Sequence, residues 1–532
     1  MNIREIILDV VDRRSDHLFL RDANTGREIT YREFHRQASA AAAELQRLGV
    51  RKGDRIAVMM ANSCELAIVY FACIYLGAVI VPINPSLSRS DVQFILSSCR
   101  PTLVLAGSGS SVLGDLHPRV LHVVTSGDSA NDAADQLDLS NLSAAADFVP
   151  LASAHPDDLI VVMYTSGTSA KPKGLAHRIG RMFRNAGAFA GAQGIDETSR
   201  FYLTLSMAYM GGFYNLLVLP FLCGASVAVD HVFDARSSLH FWDKARQNEV
   251  NTLWLAPTVL AILLRMDRGR TGEEFCRSAI RRTFVGFAPL PLKVKDEFES
   301  RYGVHLIENY GLSETLFVTA RSQEKLHGGG YVGERLPGIE LRVTGDDGNP
   351  LPSGVEGEIQ IKTPGLMAGY LDSEGRLQEI DPACWFATGD AARLEDDGAL
   401  FITGRKKDLI IRGGVNISPA AIEEALIQVS GVADAAVVSI PHELYGEDVV
   451  AVLKLEPGVE LETILDAVIA HAKASLAQHQ QPARYIAIDE FPRTANGKVQ
   501  KTRIRELVAQ KLQVASVPAT RAPAWQGSGL SR

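Results

Sequence analysis

The sequence is short of the signals that would place it outside the ordinary globular class. Its 532 residues hold six cysteines, Cys64, Cys73, Cys99, Cys223, Cys276 and Cys384, and no two are spaced as CxxC. Core thiols in a reducing compartment are the better reading than a disulfide framework or a cysteine zinc site. Basic charge is not in excess: 54 Lys and Arg stand against 62 Asp and Glu, a formal charge of −8. Nucleic acid and anionic membranes are therefore poor candidates for main partners. No apolar run is long and clean enough to span a bilayer. The longest, "LAIVYFACIYLGAVIVPI" from Leu66, is broken by Gly77 and Pro82, and predicts a buried helix, a glycine turn and a buried strand. The opening "MNIREIILDVVDRRSD" is charged throughout and has no cleavage-site pattern, so no signal peptide is expected and the cytoplasm is the expected location. Internal repeats are absent. So is any GxxxxGK[ST], which removes a P-loop kinase from consideration.

What is present is ordinary in bulk, with 46% hydrophobic and 22% charged residues, in a chain long enough for two or more domains. From Thr30 to Leu105, helical patterns such as "REFHRQASAAAAELQRLGV" alternate with short apolar strands such as "DRIAVMM" and "PTLVLAG". This predicts an α/β fold with mainly parallel sheets. The stretch from Ser126 to Asp157 is rich in Ser, Ala and Asp and reads as an irregular connection. Alternation resumes through "RFYLTL", "ASVAVD", "VNTLWLAP" and "IRRTFVGF". After Gly329, strands separated by Gly, Pro and Asp turns predict a small β-rich, barrel-like subdomain. After "GRKKD" the pattern becomes compact α+β. The final "ASVPATRAPAWQGSGLSR" predicts a disordered tail.

One segment stands out chemically. "YTSGTSAKPKG", Tyr164 to Gly174, follows the apolar "LIVVM" and crowds hydroxyls, glycines and lysines into one loop. Ser166, Thr168 and Ser169 offer hydroxyls, and Gly167 and Gly174 let backbone N–H groups approach an anion. Lys173 follows Pro172, whose ring stiffens the approach. The loop suits a phosphate.

With its companions, the loop resembles that of the adenylate-forming enzymes: acyl-CoA synthetases, peptide-synthetase adenylation domains and luciferases. Their loop reads [ST]SG[ST]TGxPKG, with Ala170 here in place of a glycine. "VGFAPLP", "NYGLSET", "WFATGD", "GRKKD" and "PRTANGKVQK" follow in the family's order. The resemblance implies a large N-terminal domain, 1–406, that binds ATP and the acid. It also implies a smaller mobile α+β domain, 407–514, hinged at Lys407, with 515–532 left as the tail. Thr165, Ser166, Gly167, Ser169 and Lys173 would hold the phosphates, and Thr168 and Glu314 a Mg²⁺ ion. Gly286, Phe287, Ala288, Asn309, Tyr310 and Gly311 would frame the adenylate, with Tyr310 against the base. Asp390 and Arg405 would hold the ribose hydroxyls. Lys498 would be the catalytic lysine, a cation bridging the acid and the α-phosphate. Without the companion motifs, a TGD is a turn and a lysine in a loop is only solvated.

The family's acid pocket implies Met207, Tyr209, Met210, Phe213, Leu312 and Leu316 as lining, with Phe287 also pointing inward. "SMAYMGGF" contains no Asp to pair with an α-ammonium group, which argues against an amino acid. A hydrophobic acid of aromatic, alicyclic or medium-chain type is expected. For the acceptor, "RGGVNISP" with Gly413 and Gly414 would line a passage, and Tyr445 would stack on the adenine of CoA. Gln480 and Gln481 stand where CoA ligases commonly carry cations, although Lys473 and Arg484 lie near, and Ala421 departs from the usual PxEIE. CoA leads; an amine or a carrier-protein thiol stays open as acceptor, and an inactive nucleotide-binding relative is the remote alternative. The expected co-substrates are ATP, Mg²⁺ and CoA.

Overall fold

The computed structural model describes residues 2–107, 116–117, 119–124, 136–139, 151, 154–165, 172–321, 330–412, 415–442, 445–493 and 499–514. The long apolar run folds as its composition dictates. Ser63 caps the helix Cys64–Leu76 by accepting the N–H of Leu66, and Gly77, at φ 79°, ends it in the left-handed region. Twelve of its residues are buried, and the exception, Glu65, pairs with Arg27. A helix apolar on every side needs partners on every side. It meets the helix Tyr31–Arg47, the strand Val79–Pro82 of one sheet and the strand Leu18–Asp22 of another. The largest core cluster fills this space between two sheets.

The first of these sheets has nine strands among the described residues. At its centre Arg55–Met59 runs parallel to Val79–Pro82 and Leu103–Ala106, and Val79–Pro82 parallel to Leu159–Thr165. Leu159–Thr165 pairs antiparallel with Lys173–Arg178, which pairs in turn with Gly369–Leu371. The second sheet has seven strands among the described residues, in the order Leu306–Glu308, Arg282–Val285, Thr252–Leu255, Arg200–Leu203, Ser226–Val229, Leu18–Asp22 and Glu28–Thr30. All neighbours are parallel except the last pair.

One segment departs from expectation. Within the stretch read as irregular, Gln136–Asp138 adds a parallel edge strand beside Val120–Val124. It is three residues long and buries Leu137, too short to show a period in the sequence. Most of that connection lies outside the described residues.

Antiparallel strands from Thr319 to Arg405 form a six-stranded sheet among the described residues. A five-stranded sheet then starts at Ile410 and carries the helices Pro419–Ile427, Leu461–Ser475 and Lys501–Val514. Its two core clusters contain only residues from Ile410 onward. Polar contacts join it to the preceding structure: Lys293 Nζ donates to Ile427 O at 3.2 Å and Arg265 to Ala433 O at 3.4 Å. The stretch 515–532, expected to be a disordered tail, lies outside the described residues.

A close backbone approach fixes the segment nearest the expected acid pocket. Gly211–Val218 forms a wide, π-type helix, and a Cβ on Gly212 would lie 2.3 Å from Ser206 O and 2.6 Å from Met207 N. Only glycine fits there. Gly212→Ala is expected to cost about 1–3 kcal/mol, read as a lower urea midpoint with an unchanged slope.

Candidate active site

The strands that flank the crowded loop pair antiparallel inside the nine-stranded sheet. Their last pairs are Tyr164 with Gly174 and Thr165 with Lys173. Gly174 lies under the Tyr164 ring, where a Cβ would approach Cζ to 2.9 Å, and the Tyr164 hydroxyl donates to Ser98 Oγ at 2.9 Å. Ser166, Gly167, Thr168 and Ser169 lie outside the described residues, as does the Thr165 side chain. Lys173, at the loop's exit, is exposed, and its Nζ stands 5.7 Å from the centroid of the Tyr370 ring.

Two further segments leave the C-terminal ends of neighbouring parallel strands, where open α/β sheets bind ligands. Arg282–Val285 leads into Gly286, Phe287 and Ala288; Leu306–Glu308 leads into Asn309 and Tyr310; Val285 and Glu308 are register partners. Asn309 braces the pair, its Nδ2 donating to Val285 O at 3.2 Å. A Cβ on Gly286 would press on Asn309 Oδ1 at 3.2 Å. Phe287 has φ +75°, a left-handed backbone that costs a residue with a Cβ about 1–3 kcal/mol. Its ring is partly exposed and covers Gly211, where a Cβ would lie 3.0 Å from Cε1 and Cζ.

Tyr310 is buried, and its hydroxyl donates to Asp390 Oδ2 at 2.5 Å. Arg405 Nε reaches Asp390 Oδ1 at 2.6 Å. Asp390 and Arg405 face each other as register partners in the six-stranded sheet, and Asp390 is 4% exposed. Burial, then the Asp390 charge and hydrogen bond, push the Tyr310 phenol well above its ordinary pKa, so it stays a donor. The three residues expected around base and ribose thus form one cluster.

Glu314 sits at the tip of a tight hairpin between Gly311–Leu312 and Leu316–Phe317. A Cβ on Gly311 would fall 2.2 Å from Leu316 O, and Leu316 takes a left-handed φ of 59° to close the turn. The Glu314 carbonyl accepts the N–H of Met367 at 2.7 Å, and its Oε1 accepts the Tyr370 hydroxyl at 3.0 Å. Alongside, His177 Nε2–H donates to Ser313 O at 2.6 Å. Asn185 Nδ2 donates to Phe317 O, while its Oδ1 accepts from Phe317 N and the Tyr214 hydroxyl.

A Mg²⁺ ion suits this donor set. The Glu314 side chain is partly exposed, and its Oε2 takes no hydrogen bond among the described residues. Nor do three His, Cys, Asp or Glu residues cluster as a metal cage among the described residues. A hard ion held by one or two protein oxygens and by phosphate needs no such cage.

The expected pocket residues divide. Tyr209, Met210 and Leu312 are partly accessible, and Asn84 Nδ2 meets the Tyr209 hydroxyl at 3.4 Å. Met207 and Phe213 are 0% exposed and pack in the main core. Phe213 meets Tyr70 edge-on at 5.4 Å, and Asn62 Oδ1 accepts the Met207 N–H at 2.9 Å. Leu316, 3% exposed, also belongs to the core. These three stand behind the open face. On the acceptor side, Tyr445 stacks on His442 at 4.9 Å with the Arg412 guanidinium 5.7 Å from its ring. Gly413, Gly414 and Lys498 lie outside the described residues, as does the Lys407 side chain. Sequence reading missed Tyr370, His177 and Asn185, none of which lies in a motif of recognisable spacing.

Residues 8–371 match the AMP-binding enzyme family, and residues 421–498 match the AMP-binding enzyme C-terminal domain. The chain belongs to this family, the adenylate-forming acyl-CoA synthetases. The synthetase is 31% identical to an indoleacetate–CoA ligase of Aromatoleum aromaticum over 494 residues, 91% of this chain and 94% of the relative. It is 29% identical to a medium-chain fatty-acid–CoA ligase of Escherichia coli, across 92% of this chain and 87% of that one. Its structure resembles that of o-succinylbenzoate coenzyme A synthetase from Bacillus subtilis in complex with ATP and magnesium. The TM-score is 0.79 at 26% identity, over 94% of this chain and 99% of the other.

His177 gives the synthetase a pH dependence. Burial holds its ring neutral in the folded state, lowering the pKa from 6.5 to about 4, and Nδ1 is buried with no partner among the described residues. The unfolded chain takes up the proton first, so stability falls as pH drops through 6.5 towards 4. Between pH 7.5 and 5 this group removes about 2 kcal/mol. Urea unfolding of His177→Gln at both pH values is expected to show a loss smaller by that amount than in the parent.

Proposed function

We propose that the synthetase joins a hydrophobic carboxylic acid to CoA through an acyl-adenylate. The observation that carries this reading is the convergence of Tyr310, Asp390 and Arg405. In the first step a carboxylate oxygen attacks the α-phosphorus of ATP and pyrophosphate leaves. In the second, the CoA sulfur attacks the acyl carbon and AMP leaves.

The loop Thr165–Ser169 and Lys173 hold the phosphates. Glu314 and Thr168 hold Mg²⁺, which supplies neutralising charge to the triphosphate. Gly286, Phe287, Ala288 and Asn309 line the adenine side against Tyr310. Asp390 and Arg405 take the ribose diol. Two anions must meet in a water-poor site, which is costly without a cation between them. Lys498 is that cation. It arrives on the domain 407–514 when this domain closes about Lys407 on 1–406, and the same domain swings away for the second step.

Tyr209, Met210, Leu312 and Phe287 present aromatic and aliphatic surface, so an α-ammonium group would be left unpaired there. Aromatic, alicyclic or medium-chain acids fit. The names of the indoleacetate and medium-chain relatives support both this class and CoA as acceptor. Tyr445, with His442 and Arg412 beside it, offers a stacking surface and a cation suited to the CoA nucleotide. Six unpaired cysteines suit a reducing compartment, and we place the protein in the cytoplasm.

The test is acid-dependent exchange of labelled pyrophosphate into ATP over a panel of apolar acids, followed by product mass with CoA or amines offered separately. Exchange followed by thioester formation is expected. Exchange that yields only amides would reassign the acceptor, and no exchange with any acid would end the reading. Lys498→Ala is expected to lose roughly 10²-fold in adenylation while still consuming supplied acyl-adenylate with CoA. Equal loss in both steps would contradict the moving domain.

A further inference from the structure

Tyr370 lies outside every motif used above, yet it touches two of the groups assigned to ATP. Its hydroxyl donates to Glu314 Oε1 at 3.0 Å, and the Lys173 ammonium stands over its ring at 5.7 Å. Strand pairing delivers it there. Tyr370 is the register partner of Leu175, two residues beyond Lys173, in the strand that leaves the phosphate loop. The neighbouring backbone makes two more ties: Ala368 N–H donates to Ala176 O and Met367 N–H to Glu314 O, both at 2.7 Å. Gly369 removes any slack, since a Cβ there would lie 1.9 Å from Gln378 O. The segment 367–370 is thus a strap, bonded on one side to the exit of the phosphate loop and on the other to the Glu314 turn.

We infer that Tyr370 is a positioning residue that couples phosphate binding to metal binding. Its ring face holds Lys173, and its hydroxyl fixes the Glu314 carboxylate so that Oε2 is the oxygen presented to the ion. The two halves of the side chain have separable consequences. The hydroxyl acts only through Glu314, so it affects affinity only when a divalent ion is present. The ring acts through Lys173, which meets phosphate with or without metal. A hydrogen bond that orients a metal-binding carboxylate is typically worth 10–100-fold in metal affinity. A cation held over a half-buried ring contributes less, about a few-fold.

The inference rests on the ATP site proposed above, and calorimetry of ATP binding separates the two. Binding is measured in excess Mg²⁺ and again in EDTA, with no acid or acceptor present, and melting temperature is followed to confirm folding. Tyr370→Phe keeps the ring and is expected to bind ATP about tenfold more weakly in Mg²⁺ and as the parent does in EDTA. Tyr370→Leu is expected to lose a further few-fold under both conditions. Parental affinity of Tyr370→Phe in Mg²⁺, or equal weakening with and without the ion, would overturn the role of the hydroxyl. Identical EDTA affinities for the Phe and Leu variants would overturn the role of the ring. A parent that binds no ATP would remove the site itself. Absent pyrophosphate exchange with intact metal-dependent binding would fault only the proposed reaction.

Discussion

The arrangement depends on a buried carboxylate that needs two partners from different sheets. Asp390, 4% exposed, sits in the six-stranded antiparallel sheet beside Arg405, while Tyr310 comes from the end of a parallel strand in the seven-stranded sheet. An ionised group so enclosed must be matched in place, and removing one partner leaves charge that the interior cannot solvate. The pairing therefore holds the β-rich part against the α/β part and sets the distance between base-side and ribose-side groups. The same bonds that join the two parts bring together the residues to which the proposal gives the base and the ribose.

Around it the chain repeats one solution. Leu316 and Phe317 anchor the Glu314 turn in the main core, and its backbone groups are satisfied by neighbours: His177 on Ser313, Met367 on Glu314, Asn185 on Phe317. Each tie comes from a different element. A hairpin this short would not hold its shape in isolation. Held from several sides, it keeps a carboxylate partly exposed yet fixed, as a hard cation's geometry requires.

Parts of this were legible in the sequence because the information was local. The helix Cys64–Leu76 announced itself by an unbroken apolar run between a serine cap and a glycine stop. The loop, the Asn309–Thr315 segment and the TGD segment are contiguous motifs whose residue types carry their chemistry. Relations made by strand pairing were not legible. Tyr370 reaches Glu314 from 56 positions away through a register that no spacing rule records. Burial within one segment was not legible either: in a string of letters nothing separates Met207 and Phe213, which are buried, from Tyr209 and Met210, which are partly accessible. The close approach of Gly212 to Ser206 and Met207 is a tertiary contact of the same kind. Most of the phosphate loop and Lys498 are known here by motif alone.

Phe287 and Gly211 occupy one shared volume, the ring lying where a methyl group on the glycine would have to go. Their positions are 76 apart in the chain, yet neither can change size independently of the other. Enlarging 211 alone presses on a ring whose backbone is already in an unfavourable region, and shrinking 287 alone uncovers Gly211 to solvent. Sizes at these two positions are therefore coupled, and a larger residue at 211 is accommodated most easily when 287 is made smaller at the same time.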